Sequence, residues 1–110
     1  MECLNRIQLI GYVVEEARLS QTSNGVNMAQ FKIVTQESYT LRSGELKERK
    51  DYHYIVCYKG LANIASSLRD GEKVYIDGKQ EHWYNSDEEG AQVKSSPVVC
   101  QTLIKMARCS

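Results

Sequence analysis

"KDYHYIVCYKGLANIASSLRDGEKVYIDGKQ", residues 50–80, changes its hydrophobic period twice. Through 52–58 the repeat is two, so one side of a strand carries Tyr52, Tyr54, Val56 and Tyr58 and the other His53, Ile55 and Cys57. Leu61, Ile64, Ala65 and Leu68 then fall at i, i+3, i+4 and i+7, the spacing of one helical face. Gly71 stands where a helix C-terminus favours a left-handed residue. Residues 72–80 read as a strand again.

Outward from this strand–helix–strand unit, the remaining signals are those of strands. Residues 4–14, "LNRIQLIGYVV", alternate Ile7 and Leu9 with Arg6 and Gln8 and lose the rhythm at Gly11, which predicts a bend or bulge there. Asn24-Gly25 marks a tight turn. Residues 28–40 alternate Ala29, Phe31 and Ile33 with Gln30 and Lys32, a half-buried strand, and "LRSGELKERK" forms a charged hairpin tip around Gly44. "HWYNSDEEGAQ" reads as a strand end and an acidic loop, and 93–106 as a last strand, placed at an edge or bulged by Pro97, which has no N–H for a ladder. Three strands, a short helix and two more strands predict an all-β chain of the OB-fold class: a five-stranded Greek-key barrel with one helix between strands 3 and 4, which would plug the barrel.

The length of 110 residues fits one domain over 1–110, and 42% hydrophobic with 25% charged residues is ordinary for a globular chain. Fourteen basic and 14 acidic residues cancel, so any electrostatic footprint must be local. Seven of the nine aromatics are tyrosine, beside Phe31 and Trp83. A buried phenol usually needs a hydrogen-bond partner, so this many tyrosines point to an amphipathic surface. Cys3, Cys57, Cys100 and Cys109 form no metal-binding spacing, and no cofactor site is expected. No signal peptide or membrane-length stretch is present, so the expected setting is a reducing cytoplasm with thiols unpaired. A Cys3–Cys109 bond would require the termini to meet. With His53 and His82 as the only histidines, and no nucleophile–base spacing or phosphate-cradling glycine loop, an enzyme is not expected.

"LNRIQLIG", "SNG", "QESY", "SGELKERKDYH", "YKGLANIASSL" and "GEKVYIDGK" occur in the order seen in bacterial single-stranded DNA-binding proteins. The chain resembles that family's DNA-binding core from Leu4 to about Met106. The resemblance implies a homotetrameric OB-fold that stacks bases on aromatics and tracks phosphates with basic side chains, acting in replication, recombination and repair on the nucleoid. It places Tyr39 and Tyr52 where the family commonly has tryptophan, matches Tyr58 to the aromatic ending the third strand, and leaves Trp83 or Tyr84 as the fourth-strand aromatic. His53 matches a histidine on the subunit-interface side, with Asn5 and Ile7 on the first strand beside it. Three departures stand out. "YVVEEAR" follows Gly11 in place of a second glycine and an Asp-Pro pair. "KQEHWYNSD" replaces a strongly basic run. The chain stops at Ser110 without the glycine-rich linker and acidic tip that recruit replication and repair partners, as a trimmed piece or a tail-less paralogue would.

By strand parity, His53, Ile55 and Cys57 suit the interior and subunit contacts, while Tyr52, Tyr54, Val56 and Tyr58 suit an open face for stacking. The bland alternative is that the tyrosines cover a sheet or a dimer contact. Arg6, Lys32, Lys59, Lys73, Lys79 and Lys94 lie on or next to strands and form the candidate phosphate track. Lys47, Arg49 and Lys50 share their hairpin with Glu45 and Glu48, and Asp87, Glu88 and Glu89 would repel phosphate if their loop folded over the DNA, so binding weaker than in more basic relatives is expected. Two other functions fit parts of the sequence. One is a dimeric subunit like primosomal replication protein N, acting mainly through partners. The other is an oligosaccharide-binding OB-fold, which is usually secreted and disulfide-stapled.

Overall fold

A computed structural model describes residues 3–86, 90 and 92–106; at 85–86 and 92–94 it describes the backbone alone. In chain order the elements are β1 (Ile7–Gln21), β2 (Asn27–Thr40), β3 (Leu46–Tyr58), α1 (Gly60–Ala65), β4 (Lys73–Gln80), β5 (Trp83–Ser86), β6 (Gln92–Ser95) and β7 (Val98–Lys105). Five of them close a barrel in the order β1-β2-β3-β7-β4, and β5 and β6 form a separate two-stranded hairpin. The expected five-stranded barrel with one helix between its third and fourth strands is the architecture found.

Alternation builds the core. Ala29, Phe31 and Ile33 of β2, Ile55 and Cys57 of β3, and Val74 and Ile76 of β4 point inward and are buried together with Val13. On β7 the inward positions are Val98, Cys100 and Leu103; this change of parity follows from an extra residue where Asp77–Thr102 gives way to Gly78–Cys100 in the ladder. The β3–β7 seam is parallel and holds only two rungs, Ile55–Val98 and Val56–Val99. Beyond the barrel, β2 and β3 continue as a two-stranded arm that pairs Thr35–Thr40 with Leu46–Asp51, and its residues 36–50 are all exposed. Its tip turns at Gly44, whose φ of 87° lies in the left-handed region, with Gly44 N–H donating to Leu41 C=O.

Several local expectations are corrected. The break in rhythm at Gly11 is no bend. β1 runs on through it, and its irregularities come later, at Val13–Glu15 and Glu15–Arg18. The helix stops at Ala65 instead of reaching Gly71, because Ser66 and Ser67 turn their hydroxyls onto the carbonyls of Asn63 and Ile64 at 2.6 and 2.7 Å. The following i→i+3 turn still buries Leu68, which joins Ala62 and Ala65 in the core. The last strand is divided at Ser96-Pro97 into β6 and β7, and the Pro97 carbonyl accepts from Glu81 N–H at 3.0 Å. Cys57 and Cys100 are buried thiols; Cys109 lies outside the described residues, and so does its suggested pairing with Cys3.

Ile55 is fully buried at the centre of β3. Ile55→Ala is expected to cost about 2–5 kcal/mol as a large-to-small core change, read as a lower urea midpoint at unchanged slope.

Candidate nucleic-acid interface

The two bulges of β1 decide what the outer face of β1-β2-β3 presents. Rungs run Tyr12–Val34, Glu15–Lys32, Arg18–Gln30 and Ser20–Met28 between β1 and β2. The same β2 residues face Tyr52, Tyr54, Val56 and Tyr58 of β3. Since Val13, Phe31, Ile33, Ile55 and Cys57 point inward, four rows lie outside: Tyr12–Val34–Tyr52, Glu15–Lys32–Tyr54, Arg18–Gln30–Val56 and Ser20–Met28–Tyr58. Lys73 of β4 extends the first row beside Tyr12.

Tyr52 and Tyr54 are 60% and 61% exposed, an unusual state for large aromatic groups on a sheet. Their inward neighbours are His53, half-buried with a ring nitrogen 3.0 Å from Thr35 Oγ1, and Ile55. The open face does not continue evenly. Val56 is only 2% exposed, beside a cleft it shares with Trp83 and Pro97, and Tyr58 is half-buried. Desolvation, and next the negative charge of Glu81, push the Tyr58 phenol above its ordinary pKa. Tyr39 stands apart on the arm opposite Lys47, and exposed Tyr84 lies on the hairpin opposite Lys94. Trp83 is half-buried, its Nε1–H donating to Glu81 Oε1 at 3.0 Å.

Tyr54 is the centre of this surface. It borders three clefts of about 220, 290 and 280 Å³. The first runs toward Glu15, Arg18 and Lys32, the second toward Trp83 and Pro97, and the third toward Tyr52, His53 and Ile7. Lys32 Nζ sits 4.9 Å from the Tyr54 ring centroid, a cation–π contact.

The basic residues fare differently from one another. Arg6 forks onto Asp77, with Nη2–Oδ2 at 2.6 Å and Nε–Oδ1 at 3.2 Å. That pairing raises the guanidinium and holds the Asp77 carboxyl below the usual range. Lys32 lies 3.9 Å from Glu15 and Lys79 3.4 Å from Glu81. Lys59 and Lys73 are in no ion pair among the described residues. The side chain of Lys94 and residues Asp87, Glu88 and Glu89 lie outside those described. Sequence reasoning missed Tyr12, which is 49% exposed, and the row partners Glu15 and Arg18. The signal for Tyr12 was its parity against buried Val13; the bulges that align Glu15 and Arg18 with it left none.

Of the residues expected at a subunit contact, Ile7 and His53 share the third cleft. Asn5 brackets Gln80, donating Nδ2–H to its carbonyl at 2.7 Å and accepting its N–H at 3.1 Å, and so extends the β1–β4 pairing by one side-chain rung.

The Single-strand binding protein family model matches residues 4–107. The chain belongs to this family. It is a family of non-enzymatic DNA-binding proteins. Among curated relatives, the Single-stranded DNA-binding protein 1 of Chlorobaculum tepidum is 32% identical over 99 residues, covering 88% of this chain and 61% of that protein. The single-stranded DNA-binding protein of Neisseria meningitidis serogroup B is 34% identical over 77 residues, covering 69% and 44%. The chain thus spans less than two thirds of the length of the curated relatives it matches. A solved Plasmodium falciparum SSB complex with single-stranded DNA superposes with a TM-score of 0.86 at 26% identity, over 97% of this chain and 98% of that one. A deletion mutant of the Thermus aquaticus single-stranded DNA-binding protein shares the fold, with a TM-score of 0.82 at 19% identity over 94% and 51%. This member of the family therefore carries an OB-fold, with a tyrosine-rich outer face.

As the only tryptophan, Trp83 reports on its own hydrogen bond. That bond, before the opposing desolvation and the help of Lys79, holds Glu81 below its ordinary value of 4.5. Protonating Glu81 removes the charge on the acceptor, so Trp83 emission is expected to change in a step lying below pH 4.5. Glu81→Gln should abolish that step.

Proposed function

We propose that this chain binds single-stranded DNA without choosing its sequence, stacking bases on Tyr52 and Tyr54, with Tyr39, Tyr58 and Trp83 or Tyr84 extending the track. The observation that carries this reading is the pair of tyrosines more than half exposed on a sheet face, ringed by clefts that meet at Tyr54. For single-strand-binding OB-folds as a class, each base stacked on an aromatic is worth about 1–3 kcal/mol and is sequence-tolerant because every base has a π-face. Lys59 and Lys73 are the phosphate contacts with no acidic partner among the described residues; Arg6, Lys32, Lys79 and Lys94 complete the set. The relatives' names and the DNA-bound solved structure support the same ligand. Protection of exposed single strands in replication, recombination and repair, in the cytoplasm on the nucleoid, is the role this ligand implies.

The working unit is a homotetramer built from protomer pairs. The pair contact would lie along β1 from Asn5 to Ile10, with Ile7 and His53 at it. A second face supports further association: Ile10, Tyr75 and Ile104 fall in one row on the outside of β1-β4-β7, and Ile10 and Ile104 are 51% and 52% exposed. An apolar row of this kind rewards burial. Titration with oligonucleotides of increasing length, with mass measured in the same sample, tests both parts. A dimer would favour the subunit that acts through partners, and a monomer across micromolar concentrations would end the tetramer reading.

Tyr54→Ala and Tyr52→Ala are each expected to weaken binding by about 1–3 kcal/mol while the fold survives, since exposed rings supply little packing. Tyr58→Ala should lower both affinity and thermal midpoint, because that ring is half-buried. The logarithm of affinity should fall with log salt by about 0.7 per phosphate contacted. Lys59→Ala and Lys73→Ala should each reduce that slope more than Arg6→Ala, whose charge Asp77 already balances.

A further inference from the structure

We propose that Glu15 is a built-in counter-ion of the DNA-binding face, holding Lys32 and Arg18 until phosphate displaces it, and so setting the affinity. The proposal rests on the single-strand reading above and names a residue which that reading does not use. The bulges on either side of Glu15 turn it onto the outer face, in the row of Lys32 and Tyr54. Its two oxygens face different cations: Oε1 is 3.5 Å from Arg18 Nη2, and Oε2 is 3.9 Å from Lys32 Nζ. Lys32 is in turn 4.9 Å from the Tyr54 centroid, so its ammonium lies between a carboxylate and the ring expected to stack a base. All four residues line one cleft of about 220 Å³, together with Glu16, whose own partner is Arg69 at 3.9 Å.

The strength of the pairing suits displacement. Glu15 is 47% exposed, Lys32 28% and Arg18 83%, and pairs in contact with water are weak. A phosphate arriving at Tyr54 can therefore take Lys32 from Glu15, but it leaves a carboxylate that draws a small cation from solution. The cation released from DNA is then largely cancelled by the one taken up, and this contact barely registers in the salt dependence.

Glu15→Gln keeps the shape and removes the charge. It is expected to tighten binding to oligo-dT roughly two- to fivefold, the range over which exposed ion pairs act. It should also steepen the log–log salt slope by about 0.7 for each cation released. Adding Lys32→Ala should remove the Lys32 share of both gains, and adding Arg18→Ala the remainder. Unchanged affinity and slope in Glu15→Gln would overturn the proposal. So would a gain that persists in full with Lys32 and Arg18 both replaced, since a diffuse field would then be acting. If the unaltered protein binds no single strand under the same conditions, the ligand reading fails and takes this one with it.

Discussion

The carbonyl of Val34 leaves no room for a side chain at residue 11. A Cβ on Gly11 would stand 2.5 Å from that oxygen. This close approach is what lets β1 serve two neighbours, pairing with β4 through Tyr12 and with β2 from Tyr12 onward. Gly78 plays the matching part against the Val99 carbonyl, opposite the extra residue of β7. With both approaches made, a seam of only two rungs between β3 and β7 suffices to close the barrel. Closure bends β1 around the core. The bulges after Val13 and Glu15 accommodate that bend. The arrangement of the outer face is a product of that curvature, because without the bulges Glu15 would not share a row with Lys32 and Tyr54.

This explains what could be read from residues and what could not. Inward positions follow a period of two wherever a strand has one partner on each side, so the order of elements and the core positions of β2, β3 and β4 were legible. A bulge changes parity without leaving a residue type behind. Gly11 therefore looked like the irregular point, while the irregularities sat at Val13–Glu15 and Glu15–Arg18. Val56 belongs to the face expected to be open, and its alternation is correct. It is buried through what lies beside it in space, Trp83 and Pro97, which no spacing within 52–58 encodes. The helix shows a third limit: of its apolar spacing, Ala65 and, past the helix end, Leu68 are buried while Ile64 is 43% exposed, and the serine hydroxyls that end the helix compete for carbonyls locally.

Much of the expected basic track is locally neutralised. Each of Arg6, Lys32 and Lys79 stands beside a carboxylate: Asp77, Glu15 and Glu81. For Asp77 the sign is clear. Its pKa is lowered in the folded chain, so the pairing stabilises above the ordinary aspartate range and is lost as pH falls through the folded value. On a chain whose charges sum to zero, such pairing leaves little unopposed positive field to draw DNA from a distance. On the proposed reading, affinity for a single strand would then come mainly from contact with the aromatic face, with the lysines as adjustments to it.

A neutral chain with a large aromatic face meets a problem of its own. No net charge keeps copies apart, and exposed apolar rings favour association. Tyrosine eases this because its hydroxyl stays hydrated while its ring remains available to stack. The ion pairs on the same rows help further: Glu15, Arg18 and Lys32 stand among Tyr12, Tyr52 and Tyr54 and break the apolar surface into pieces. On the proposed reading, a carboxylate at residue 15 is unfavourable for a surface that would meet phosphate. It is favourable for a surface that must remain wetted with no ligand on it, and both demands would fall on the same row of three residues.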